Sequence, residues 1–130
     1  MNTIIKETTA LAFEGKIAFP VVIGKLIEIG VERYLADLAA LKKSFYFKDG
    51  SIETIDVPLQ HAPGIAEDFD AAGVRAAIKL SQGGQIIYPQ FLEIVMRAGC
   101  THYEVFITGK QVIYFGRKGE FHIEKFPTAK

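Results

Sequence analysis

The sequence predicts an α+β fold: a helix–helix–strand–β-hairpin unit that occurs twice, its copies related by a pseudo-twofold axis and their strands in antiparallel sheet. Three observations carry that expectation. The chain matches itself at a fixed offset, its apolar pattern switches from helical to strand spacing twice, and each switch is followed by a hairpin-turn signal. Sliding the chain by 69 residues (84 minus 15) aligns 15–58 with 84–127 without a gap. Gly15/Gly84, Ile17/Ile86, Pro20/Pro89, Gly30/Gly99, Tyr34/Tyr103, Gly50/Gly119 and Pro58/Pro127 are identical. The kinds of residue that match matter most, because glycine and proline fix turns and helix ends.

Each element has its own warrant. Residues 3–13 predict a first helix. Pro20 and Pro89 suit a helix start, where the missing N–H is not needed. Val22, Ile23, Leu26 and Ile27 then follow helical spacing, as do Phe91, Leu92, Val95 and Met96. Gly30 and Gly99 suit left-handed helix caps. Tyr34, Ala36 and Leu38 share one face of a strand, as do Tyr103, Val105 and Ile107. Asp49-Gly50 and the weaker Lys118-Gly119 signal the two hairpins. Residues 65–82 predict a helix with Phe69, Val74, Ala77 and Ile78 as its apolar stripe, opened by Glu67, Asp68 and Asp70 in a place that suits the dipole. The domain reading is one domain over 1–130, built of repeats at about 1–58 and 65–127. The Pro-bounded connector 58–64 joins them.

Composition bounds the function. With 130 residues and 49% apolar content, the chain can bury a core without disulfides or metal. Fifteen basic and fifteen acidic residues cancel. That argues against a general nucleic-acid or membrane-surface binder, both of which rely on excess Lys and Arg. Cys100 is the sole cysteine, so no internal disulfide is expected. No signal peptide or membrane span is visible, and the expected location is cytoplasmic.

"GVERYLADL" at 30–38, "YEVFITG" at 103–109 and "VIYFGRKGEFHIEKFP" at 112–127 resemble the YbcV-like bacterial proteins. That is a domain-of-unknown-function family whose members often bear the label phage envelope protein. The resemblance covers almost the whole chain and implies a small bacterial cytosolic protein. It carries no catalytic or binding residue across. The envelope label finds no support in the residues, which include no membrane segment, coiled coil or low-complexity spike.

The candidate site comes from positions that break the repeat. Arg33 becomes His102, Leu35 becomes Glu104, Glu53 becomes His122 and Ile55 becomes Glu124. With Tyr103 they form a candidate set of His102, Tyr103, Glu104, His122 and Glu124, since histidine beside carboxylate can transfer protons near neutral pH. An exposed sheet face that tolerates polar residues is the competing reading, and the balance favours it. Arg33, Tyr34, Asp37 and His61 are secondary candidates. For Tyr34 and Tyr103 the balance favours core packing. Cys100, His102 and Glu104 at alternate positions could offer metal ligands with His122 and Glu124. In a meander the two histidines lie on the order of 9–10 Å apart, too far for one ion, so no metal and no cofactor are expected. Lys48, Arg117 and Lys118 at the hairpin tips, with Phe45, Tyr46, Tyr114 and Phe115, would suit single-stranded nucleic acid. Against that, aromatics are ordinary strand formers and charged hairpin tips are ordinary solvated turns, so nucleic acid is not the expected partner.

The expected function is a non-catalytic binding or assembly module. The alternative is a small enzyme or ligand-binding protein with its His/carboxylate site in the second repeat; nucleic-acid binding comes third. Exposed sheet edges suggest a homodimer.

Overall fold

The computed structural model describes residues 3–127. The chain runs α1 (Thr3–Phe13), α2 (Phe19–Glu28), β1 (Val31–Asp37), β2 (Lys42–Phe47), β3 (Ile52–Asp56), α3 (Ala71–Gln82), α4 (Tyr88–Arg97), β4 (His102–Phe106), β5 (Gln111–Phe115) and β6 (Phe121–Lys125). All neighbouring strands pair antiparallel in one sheet of order β3-β2-β1-β4-β5-β6. The fold is thus α+β, and the order helix, helix, strand, hairpin occurs twice.

Local chemistry explains the boundaries. Pro20 and Pro89 lie in the first turns of α2 and α4. At the start of α4, Gln90 Oε1 accepts a hydrogen bond from the Ile87 amide at 2.9 Å. The predicted helix at 65–82 begins only at Ala71. Asp70 is extended and caps the helix, accepting from the Gly73 amide at 3.1 Å. Upstream, the amides of Ala66 and Asp70 donate to the carbonyls of Met96 and Ala98 at 3.1 and 2.7 Å. Residues 65–70 therefore strap across the end of α4, and Glu67 and Asp68 precede the helix they were expected to open.

The two halves share backbone detail at the 69-residue offset. Left-handed φ angles occur in pairs at Gly15 and Gly84, Gly30 and Gly99, Leu41 and Lys110, and Gly50 and Gly119. At the centre, Leu35 lies opposite Glu104, with Tyr34 opposite Val105 and Ala36 opposite Tyr103. The register therefore reads the same from either half. Flanking bonds repeat the relation: Leu38 N–H donates to Thr101 O at 2.9 Å, and Ile107 N–H to Glu32 O at 3.0 Å.

The helices cover one face of the sheet. Tyr34, Ala36, Phe45, Tyr103, Val105, Val112 and Tyr114 point into it and meet Leu26, Val74, Leu92 and Val95 from the helices, all buried. A fully buried Leu such as Leu92 contributes about 2 kcal/mol relative to an exposed one. The opposite, open face carries Arg33, Leu35, Asp37, Ser44, Tyr46, His102, Glu104, Phe106, Ile113 and Phe115. Among the described residues no helix is long and apolar enough to cross a membrane.

Candidate functional site

Strand parity divides the predicted five-residue set. His102 and Glu104 lie on the open face, whereas Tyr103, His122 and Glu124 lie on the helix face. His102 stacks on Phe115 with ring centroids 4.6 Å apart, and its Nδ1 lies 2.9 Å from Thr101 Oγ1. Glu104 pairs with Arg33 at 2.7 Å, and the Arg33 guanidinium lies 3.8 Å from the Tyr46 ring centre. Arg33 and Asp37 share the open face, but Asp37 instead accepts from the amides of Ala39 and Ala40, both at 3.0 Å, in the β1–β2 turn. On the other face His122 Nε2 and Glu124 Oε1 are 3.0 Å apart. His61 is exposed, in the connector, with φ of 56°.

The order β4-β5-β6 is a meander, and parity adds opposite faces to the separation of His102 and His122. Among the described residues no group of three or more His, Cys, Asp and Glu side chains converges. Cys100 is fully buried, its Sγ–H directed at the His102 carbonyl at 3.3 Å, and burial pushes its thiol up to about 12. The basic hairpin tips lie at opposite ends of the sheet, because β1 and β4 run antiparallel. Arg117 donates to the carbonyls of Ile65 and Ala66, and Lys118 pairs with Asp68 at 3.0 Å. Phe45 and Tyr114, expected to help stack bases, are buried under the helices.

The helix face does bring polar groups together. One cross-strand row reads Ile55, Lys43, Ala36, Tyr103, Tyr114, His122. Lys43 in this row is only 9% exposed. Ala36 lies between Lys43 and Tyr103 in the row, and Tyr88 of α4 reaches the residues on either side of it. The Tyr88 hydroxyl hydrogen-bonds that of Tyr103, and its ring lies under the Lys43 ammonium, 4.4 Å from Nζ to the ring centre. Tyr34 offers a second ring at 5.1 Å. Ring faces attract a cation, so the two tyrosines compensate part of its lost hydration. Among the described residues Lys43 makes no ion pair, and burial pushes its amine down to about 7. Both protonation states are therefore populated at neutral pH. Burial holds Tyr34, Tyr88, Tyr103 and Tyr114 well above the ordinary phenol range, so these hydroxyls stay protonated. A cavity of about 20 Å³ adjoins Lys43, lined also by Thr8, Thr9 and Ala12 of α1, Val22 and Leu26 of α2, and Tyr34 and Phe45.

Lys43 has no place in the sequence-derived set. Two signals pointed to it. It lies two residues before Phe45 and so shares that residue's inward face, and the offset pairs it with Val112, a buried apolar residue.

A family model described as "Protein of unknown function (DUF1398)" matches residues 19–125. The chain belongs to that family. No curated protein matches the chain. The DUF1398 match spans Lys43, Tyr88, Tyr103 and Tyr114. Helix α1, which brings Thr8, Thr9 and Ala12 to the cavity, precedes it.

Proposed function

We propose that this DUF1398 protein is a binding and assembly module that works through the open face of its sheet, and that a second copy of the chain occupies that face. The observation that carries the reading is the uneven open face. Phe106, Ile113, Phe115, Phe121 and Ile123 gather over β4, β5 and β6, with Ile113 opposite Ile123 and Phe115 opposite Phe121. Phe121 and Ile123 are 60% and 42% exposed. Removing such a patch from water drives association. The edges support the face as the contact. Strands β3 and β6 are five residues each and carry Glu53, Asp56, Glu124 and Lys125, and short, charged edges resist strand addition. A second copy also meets no long-range repulsion, since the formal net charge is zero. One patch meeting its own copy closes as a twofold dimer.

We also infer that the halves arose by duplication. The paired left-handed positions and the symmetric β1–β4 register support that reading.

Light scattering tests the assembly. Wild-type protein is expected at dimer mass, Ile123→Lys at monomer mass, and Ile52→Lys, on the polar side of the same face, at dimer mass. A wild-type monomer that persists to high concentration would sink the proposal.

A further inference from the structure

We propose that Lys43 is a covalent binding site for aldehydes with a short apolar tail. The site stands on four features of the chamber. The amine is buried and has no carboxylate partner among the described residues. Two tyrosine rings flank it, at 4.4 and 5.1 Å. A cavity of about 20 Å³, room for a carbonyl oxygen or one water, lies beside it. The rest of the lining is apolar at Ala12, Val22, Leu26 and Phe45, with the Thr8 and Thr9 hydroxyls donated to carbonyls of α1; Thr9, Ala12 and Val22 are half-buried, so the chamber meets solvent at the seam between α1 and α2.

The chemistry follows from the setting. A lysine desolvated in an apolar pocket is neutral for much of the time near pH 7, and the neutral amine is the nucleophile. The nitrogen lone pair adds to the carbonyl carbon, and the carbonyl π pair moves to oxygen. A proton passes from nitrogen to that oxygen, giving a carbinolamine. The nitrogen lone pair then expels the hydroxyl, which takes up the remaining N–H proton and leaves as water, and a C=N bond remains. No oxidant or reductant is needed, and hydrolysis reverses the step. The carbonyl oxygen fits the cavity, and the tail of the aldehyde leaves it between α1 and α2, past half-buried Ala12 and Val22. Charged ligands are disfavoured there, since their desolvation has no compensating partner besides Lys43 itself.

Protein treated with hexanal at pH 7, reduced with cyanoborohydride and mapped by peptide mass spectrometry tests the proposal. An exposed lysine of ordinary pKa is almost wholly protonated at that pH. Lys43 is therefore expected to be alkylated on the order of tenfold or more faster than exposed Lys79 and Lys110. Its labelling rate is expected to level off just above neutral pH. The Lys43→Arg variant is expected to lose the fast phase and keep the slow one. Labelling of Lys43 no faster than that of Lys79 overturns the proposal. So does a thermal shift with hexanal but no trapped adduct, which would mean the chamber binds without condensing.

Discussion

Lys43 stands in a position where strand parity demands an inward side chain, and the protein supplies aromatic faces in place of a carboxylate. That choice has a pH signature. Below about 7, Lys43 is protonated in both the folded and unfolded chain, and the folded state bears the full penalty of the buried ammonium. Between about 7 and the ordinary lysine value of 10.5, the folded protein has released that proton and the unfolded chain still holds it. The unfolded state then binds more protons, so stability rises with pH across this window. The rise ends near pH 10.0, where unfolded tyrosines ionise and the buried ones do not. Thermal denaturation followed by circular dichroism from pH 6 to pH 9 is expected to show the rise in wild type. Lys43→Met is expected to be more stable at pH 6 and to have a flatter profile. Equal slopes in the two proteins would mean that the amine is solvated and ordinary.

At the scale of elements, the glycines that end α2 and α4 share a backbone angle but not a neighbourhood. Gly30 has φ of 88° and Gly99 of 90°, so an L-residue is strained at both. A Cβ on Gly30 would meet nothing within 4 Å, whereas one on Gly99 would lie 2.2 Å from the Asp68 carbonyl oxygen. The strap formed by residues 65–70 makes the difference. Gly30→Ala is expected to cost about 1–2 kcal/mol, the left-handed penalty alone. Gly99→Ala is expected to cost clearly more, because backbone must move as well; urea unfolding of the pair measures both. Equal costs would show that the strap yields freely. The same strap marks a limit of sequence reading. The glycines, prolines and apolar spacing made helices, strands and hairpins legible, because each acts on its own few residues. The late start of α3 was not legible, because residues 65–70 follow hydrogen bonds to Met96 and Ala98, distant in sequence. The candidate site failed to show for a related reason. Alternation tells which residues share a face within one strand, so Tyr103 and His102 were separable. The chamber needs α4 laid over β2 before Lys43 and Tyr88 are neighbours.

The whole molecule is one sheet made by joining two three-stranded halves at β1 and β4. Neither half is closed without the other. Strand β1 would expose its inner edge, and Lys43 would lose Tyr88, which also packs edge-on against Phe13 of α1 with ring centroids 5.4 Å apart. The connector, by contrast, contributes little to this union, since Gln60, His61 and Ala62 are exposed. A break there removes chain continuity and leaves the central pairing intact. Fragments 1–61 and 62–130 are therefore expected to be unfolded or aggregated when separate, because each exposes a central strand edge and half a core. Mixed after co-refolding, they are expected to form a one-to-one complex with the far-ultraviolet spectrum of the intact chain. Its stability is expected to depend on concentration, as it must when folding and association are one step. Size exclusion and thermal melts at several concentrations read both properties. A first fragment that folds cooperatively by itself would show that its helices and three strands suffice as a core, and that the β1–β4 seam joins two independent units.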